Sequence, residues 1–384
     1  MHPLFADLPT SIFARMSALA IEHNAVNLGQ GFPDFGWPDA VVAKAAEALT
    51  HGSNQYAPMR GLPELRAAVA AHYRTHQGLD LDPDWVTVTS GATEALAAAI
   101  MALVSPGDEV VLFQPLYDAY LPLVLRAGGV PRLVRLEPPG WRITADALDA
   151  VFSERTRLVV FNNPHNPTAR LFGAEELALV AERCVRHDAV ALTDEVWEHV
   201  VFDGRAFVPL AALPGMAERT VKVGSAGKIF SLTGWKVGWI VAPPALGVPI
   251  SKAHQYVAYA TPPNLQAAVA WGLGRDDGYY AKMVADFAAS REVLTQGLEQ
   301  AGYAVLAAEG TYFLNVDLAA SGITLGDAAF CDRAVMEAGV AAIPLSAFYA
   351  EAPVTNVVRL CFAKKAETLC AGISRMTTAR ALFA

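Results

Sequence analysis

Two lysines, Lys228 and Lys236, stand eight residues apart in a segment otherwise built of apolar, Gly, Ser and Thr residues, Val223-Gly-Ser-Ala-Gly-Lys-Ile-Phe-Ser-Leu-Thr-Gly-Trp-Lys-Val-Gly-Trp239. A lysine beside a dry, preformed pocket is kept partly neutral and can act as an amine nucleophile. Ser225 and Lys236 offer a phosphate a hydroxyl and a point charge. The alternative is a pair of surface lysines around a tight turn. Lys228 is followed by Ile229, so the Walker pattern is absent and a nucleotide P-loop fits poorly. Arg359 sits within the apolar run VVRLCF, where a guanidinium is costly unless it faces a partner. Its planar fork suits a carboxylate, either a substrate's or that of a strand-edge salt bridge. Asp194 closes a β-branched run, where a carboxylate serves as a core cap, a helix N-cap or a charge at a sheet edge. Asn166 lies in NNPHNPT, which alone predicts a loop. Ser90-Gly91-Ala92-Thr93 falls between a strand and a helix, where free N–H groups and the helix dipole favour an anion. The nine histidines are scattered and HExxH is absent, which disfavours a metal hydrolase.

These residues need a scaffold. β-branched runs at Val86–Thr89, Val110–Phe113, Leu158–Phe161, Val190–Thr193, Thr220–Val223 and Trp239–Val241 alternate with helical patterns such as Thr93–Val104 and Ala174–His187. Such alternation predicts an α/β layer structure with a largely parallel sheet, whose ligands bind beyond the carboxyl ends of the strands. After about residue 280 the texture changes. A helix is predicted over Tyr280–Ala301, then a hairpin of Tyr303–Leu306 and Tyr312–Val316 turning at Glu309-Gly310, then strands at Val340–Ile343 and Val357–Phe362. The Gly/Pro-rich stretch NLGQGFPDFGWPD in the first 40 residues is expected across the domain junction. With 384 residues, 53% hydrophobic and 17% charged, the chain can bury the core of one large and one smaller domain. A net charge of −9 without a basic block argues against nucleic acid. The longest apolar run, Ala95–Val104, is far short of the roughly 20 residues of a membrane span. No secretory signal is visible in MHPLFADLPT, and four dispersed cysteines without CxxC suit reduced thiols, so a cytoplasmic protein is expected.

The segment SAGKIFSLTGWKVGW resembles the active-site lysine segment of class I, fold type I pyridoxal-phosphate (PLP) aminotransferases, most of all the kynurenine/glutamine and methionine branch. The resemblance extends over nearly the whole chain through NLGQGFPDF, NQYAPMRGLPELR, VTVTSGATEAL, PGDEVVLFQPLYDAY, NNPHNPTARLF, TDEVWEHVVFD, EGTYFLNVD, AIPLSAFY and VVRLCFA, all in family order. It implies an N-terminal arm over 1–40 packed with the small domain, a large PLP-binding domain over 41–280 with a mostly parallel seven-stranded sheet, and a small α+β domain over 281–384.

The resemblance also implies roles. Lys228 is the Schiff-base lysine that carries PLP and then moves a proton between substrate and cofactor. Asp194 partners the pyridinium nitrogen and keeps it protonated, so that the ring withdraws electrons. Asn166 donates to the phenolic oxygen, and Tyr117 stacks on the ring. The amides of Ala92 and Thr93, the Ser225 hydroxyl and Lys236 hold the phosphate. Tyr56 reaches the phosphate of a neighbouring subunit, which implies a homodimer with shared sites. Arg359 clamps the substrate α-carboxylate, and Gly31 belongs to the loop that closes over the substrate.

Two positions depart from the family pattern. Ala169 replaces the usual Gly after Pro-Thr, at a cost of about 1 kcal/mol if φ is positive there. Trp197 replaces the usual Tyr of DEVY. An indole N–H donates but cannot accept and reaches a different point. With one donor fewer to the phenolic oxygen, the protonated lysine–cofactor imine is favoured. Its pKa is therefore expected to be higher than in a Trp197→Tyr variant. A spectrophotometric pH titration giving the parent an equal or lower pKa would rule this out.

The segment Tyr256–Pro262, which the family places in the partner's substrate pocket, contains no Arg or Lys. Tyr259, Phe348 and Tyr349 imply an apolar, aromatic-lined pocket. The expected donors are therefore methionine, glutamine, phenylalanine, tyrosine or kynurenine rather than aspartate. Ala260, where kynurenine-type relatives often carry His, favours methionine or aromatic donors. The acceptor is a 2-oxo acid and the kinetics ping-pong. The competing readings are a cysteine-S-conjugate β-lyase and an aspartate or broad-specificity aminotransferase. No metal is expected.

Overall fold

The computed structural model describes residues 3–384. Its strands, in chain order, are β1 (Val26–Asn27), β2 (Val86–Thr89), β3 (Glu109–Gln114), β4 (Val130–Arg135), β5 (Thr156–Asn162), β6 (Val190–Asp194), β7 (Thr220–Ser225), β8 (Gly238–Val241), β9 (Ala304–Leu306), β10 (Phe313–Asp317), β11 (Val340–Ala341), β12 (Ile343–Pro344) and β13 (Val357–Cys361). Seven of them form one sheet in the order β2-β8-β7-β6-β5-β3-β4. All its pairings are parallel except those of β8, which runs antiparallel between β2 and β7. β3, β5, β6 and β7 are almost entirely buried, as expected of strands covered by helices on both faces. β5, β6 and β7 end on Asn162, Asp194 and Ser225, so three polar side chains share one edge of the sheet.

The six strands read from the sequence all belong to this sheet. The seventh, β4, escaped that reading. Its sequence VPRLVR contains a proline and two arginines, and as an edge strand it is largely half-buried or exposed, so it shows no apolar run. The helices Ala92–Leu103, Ala174–Arg186 and Tyr279–Gln300 fall within one residue of expectation.

A second, antiparallel sheet has the order β12-β13-β10-β9. The expected hairpin is its β9–β10 pair. The expected strand over Val340–Ile343 is corrected to two short ones. β11 pairs in parallel with β1, and β12 pairs with β13. The chain changes partner at Ala342, which run-length in a sequence does not reveal. Through β1 the N-terminal segment is tied to this part of the molecule. The Leu28 amide donates to the Ala341 carbonyl, and the Leu28 carbonyl accepts from Cys361 N–H. One continuous apolar core includes residues of both sheets, among them Val159, Leu192, Val316 and Leu360. Among the described residues no helix is long and apolar enough to cross a membrane.

Candidate active site

A cavity of about 330 Å³ opens where the carboxyl ends of β5, β6 and β7 meet the second sheet and the segment after β1. That size suits a cofactor-sized molecule. Gly31, Ala92, Thr93, Tyr117, Asn166, Asp194, Trp197, Ser225, Lys228, Lys236 and Arg359, all singled out in the sequence, line it.

Lys228 lies on the single-turn helix Ala226–Ile229 that follows β7. Its ammonium donates to the Tyr312 hydroxyl at 3.2 Å, and that hydroxyl donates to the Gly31 carbonyl at 2.7 Å. The Trp197 ring centroid is 4.7 Å from Lys228 Nζ. Burial pulls the Lys228 pKa down to about 8, against the opposing pull of the Asp194 carboxylate. A substantial neutral fraction at pH 7 to 8 is what a nucleophilic amine needs.

Asp194 is buried, and Oδ2 accepts from the Tyr120 hydroxyl at 2.6 Å. Burial pushes its pKa up. Oδ1 is buried without a hydrogen-bond partner among the described residues. An orphaned carboxylate oxygen at a cavity wall fits a cationic N–H donor such as a protonated pyridine. Asn162 connects this carboxylate to the substrate end. Its amide donates to the Asp194 carbonyl and its oxygen accepts from the Asn166 N–H, both at 2.7 Å.

Arg359, on β13, is 1% exposed and has no ion-pair partner among the described residues. Nη1 donates to Asn166 Oδ1 at 2.9 Å and Nη2 to the Gly29 carbonyl at 3.2 Å, while Nε has no hydrogen-bond partner among the described residues. The Phe313 ring lies 3.9 Å from the guanidinium carbon. Burial lowers its pKa to about 10, which leaves it cationic at neutral pH. A buried, unpaired guanidinium asks for an anion from outside the chain.

At the other end, Gly91 caps the helix Ala92–Leu103 with φ +79°. A Cβ at Gly91 would lie 3.1 Å from Lys236 Nζ, and one at Gly238 2.8 Å from the Ala92 nitrogen. Only glycine at both positions keeps this cradle of helix N-terminus and lysine open, and it fits a phosphate. Lys236 itself sits at φ +53°. Ala169 sits at φ +62°, where alanine costs about 1–2 kcal/mol relative to glycine.

Four of the singled-out residues lie outside this cavity. Phe348 is buried behind the wall, 5.0 Å from the Arg359 guanidinium carbon and edge-on to Phe13 at 5.7 Å. Its place on the wall is taken by Phe13, Phe32 and Phe313. Tyr349 donates its hydroxyl to the Leu136 carbonyl. Tyr56 and Tyr259 stand edge-on to one another at 5.4 Å on the exposed surface, away from this chain's cavity.

Sequence reasoning also missed Tyr312, Tyr120, Asn162 and Phe13. Tyr312 lies in EGTYFLNVD and Tyr120 in QPLYDAY, but their roles depend on which way each ring points. Phe13 comes from a helix whose periodicity reveals nothing of the cavity.

The class I and II aminotransferase family model matches residues 23–375. The chain is 42% identical to the methionine aminotransferase of Escherichia coli over 370 residues, covering 96% of each chain. It is 36% identical to human kynurenine–oxoglutarate transaminase 1 over 385 residues, covering 91% of each. The solved structure of N-succinyldiaminopimelate aminotransferase from Mycobacterium tuberculosis superposes with a TM-score of 0.95 at 43% identity, covering 99% of this chain and 100% of the other. Sheet order, cavity and these matches agree, and the chain belongs to the class I and II aminotransferases of fold type I. It is a PLP-dependent transaminase, with amino acids and 2-oxo acids as its substrates.

Proposed function

We propose that the enzyme takes the amino group from an apolar, sulfur-containing or aromatic L-amino acid and delivers it to a 2-oxo acid. The observation that carries this reading is the substrate end of the cavity. One buried guanidinium, Arg359, stands among Phe13, Phe32 and Phe313, and the only other cations on the wall are Lys228 and Lys236. A dicarboxylate needs a second cation for its distal group, whereas an apolar side chain needs the aromatic wall. The relatives named for methionine and kynurenine point the same way.

PLP, when bound, supplies an aldehyde electrophile and an electron-withdrawing ring. In this reading the Ala92 and Thr93 amides, Ser225 and Lys236 hold its phosphate, and Tyr117 packs on one face of the ring. Asp194 holds negative charge beside the ring nitrogen, its position fixed by Tyr120. Arg359 pairs bidentately with the substrate carboxylate and, with Asn166, orients it. Lys228 would hold the cofactor and, as a neutral amine, would serve as the base that takes the substrate's α-proton. The hydrogen bond to Tyr312 keeps its amine at the cavity floor. Phe13 and Phe32 exclude water. Tyr56 and Tyr259 are solvent-facing aromatics, and we place them at the sites of a second subunit in a homodimer. A cytoplasmic location accords with the dispersed, unpaired cysteines.

The test is a donor screen of the purified yellow protein, read as loss of the cofactor's visible absorbance on adding each amino acid. Methionine and aromatic donors are expected to bleach it at lower concentration than aspartate. A stronger response to aspartate would overturn the specificity. Pyruvate released from a cysteine conjugate without an added oxo acid would instead favour the β-lyase reading.

A further inference from the structure

Outside the cavity, a dense group of titratable side chains lies beneath helix Pro63–Gln77 and beside the turn that follows Asp194. The Nε2 atoms of His72 and His199 face one another at 2.8 Å. These atoms and a Glu198 carboxylate oxygen all lie within 4.8 Å of each other. The His76 ring, one turn along the helix from His72, is 4.6 Å from the His72 ring and 5.1 Å from that of His199. We propose that His72, His199 and Glu198, with His76 as a fourth ligand on the solvent side, form a structural metal site for a divalent cation of the zinc class.

Four observations support it. First, the ligand set is N3O, and His72 and His76 have the i, i+4 spacing that turns two imidazoles to one face of a helix. Zinc–nitrogen bonds of about 2.0–2.1 Å put neighbouring ligands roughly 3.4 Å apart, so the two facing rings need to part by only about half an ångström.

Second, the group lacks positive charge. Lys222 is ion-paired to both Glu195 and Glu198, and all three are buried. Two carboxylates against one ammonium leave a net negative charge in the interior, which a cation stabilises. Third, Glu198 is 5% exposed and its Oε2 accepts from Lys222 and from Gln77, yet Oε1 has no partner among the described residues. A buried carboxylate oxygen left unsatisfied is a ligand atom in waiting.

Fourth, the imidazoles are available. Metal binding uses both Nε2 lone pairs, so each ring carries its proton on Nδ1. For His72 that nitrogen faces the Tyr280 hydroxyl at 3.4 Å, whose oxygen can accept its N–H. Tyr280 also stacks on the His199 ring at 4.3 Å. His76 is exposed and gives the ion a way in.

With four protein ligands the site has no open position, so its role is to pin helix Pro63–Gln77 to the turn that begins at Asp194. The test uses holoenzyme reduced with borohydride, so that the cofactor cannot chelate metal, in a Cys370→Ser background to remove the exposed thiol. The chelator-treated, desalted protein is titrated with Co²⁺ and then Zn²⁺. The expected result is one Co²⁺ per chain with the intense visible bands of a tetrahedral centre, displaced by Zn²⁺. His199→Ala is expected to weaken Zn²⁺ binding by about 100-fold or more, and His76→Ala by about 10-fold with an altered Co²⁺ spectrum. Absence of Co²⁺ uptake by the parent overturns the proposal, as does uptake that is the same in the parent and in both variants. His76 is exposed and His199 half-buried, so neither substitution empties the core as one at the buried His72 would.

Discussion

Lys228→Ala is expected to lower kcat/KM by about 10⁴-fold, the upper end of what one positioned acid–base group contributes. The amine is the only one at the cavity floor, with its hydrogen bond to Tyr312 and its place over the Trp197 ring. Removing it should not unfold the protein, because alanine continues the helical turn Ala226–Ile229 and the change deletes a buried cation. The variant should still bind PLP through the phosphate cradle. Borohydride treatment and peptide mapping should then find no pyridoxyl group at position 228, whereas the parent carries one there. The same lysine sets a pH dependence. Only the neutral amine attacks an aldehyde, so the rate of PLP uptake by apoenzyme should rise as pH approaches about 8 and level off above it. A variant retaining a tenth of parental kcat/KM, or a parent with its adduct on another residue, would end the assignment.

Asp194→Asn should have opposite effects on apoenzyme and holoenzyme. The side chain is buried, its pKa is raised by that burial, and Oδ1 has no hydrogen-bond partner among the described residues. Because the folded-state pKa lies above the unfolded one, the folded protein holds the extra proton between the two values. Asp194 therefore contributes stability at pH below the ordinary Asp value of about 4 and loses it as pH rises through the raised one. At pH 7 the apoenzyme bears the cost of that burial. Asparagine cannot ionise and keeps an oxygen for the Tyr120 hydroxyl, so apo Asp194→Asn should melt above the apo parent at pH 7 and match it more closely near pH 4. Holoenzyme should respond in the other direction. Breaking a buried opposite-charge pair costs about 3–5 kcal/mol, or roughly 10²- to 10⁴-fold in kcat/KM. Calorimetry of both forms with steady-state kinetics checks it. A destabilised apo variant, or an unchanged kcat/KM, would refute the pairing.

The sequence made much of this legible because local chemistry coincided with local structure. β3, β5, β6 and β7 are largely apolar runs ended by polar residues, so both the strands and the chemically active edge could be read. Lys228, Asp194, Asn166 and Arg359 announce themselves as polar or charged groups in apolar or turn contexts. Positions whose role depends on direction could not be read so. Phe348 and Phe13 are both aromatic residues of one apolar cluster, and only packing puts Phe13 on the cavity wall and Phe348 behind it. Tyr56 and Tyr259 read as site residues, but within one chain their rings face each other on the surface, away from the cavity.

Residue types in order along the chain were enough to establish the α/β class, the family and the inventory of reactive groups, since strand period, turn chemistry and anomalous charges are all local properties. Tertiary structure alone decided the distances. Asn166 and Arg359, nearly two hundred residues apart, are in hydrogen-bond contact, Tyr312 is found beneath Lys228, and His72 meets His199 across 127 positions. Long-range proximity of this kind comes from how β-sheets and helices pack, because a buried polar group is stable only where another segment arrives to meet it.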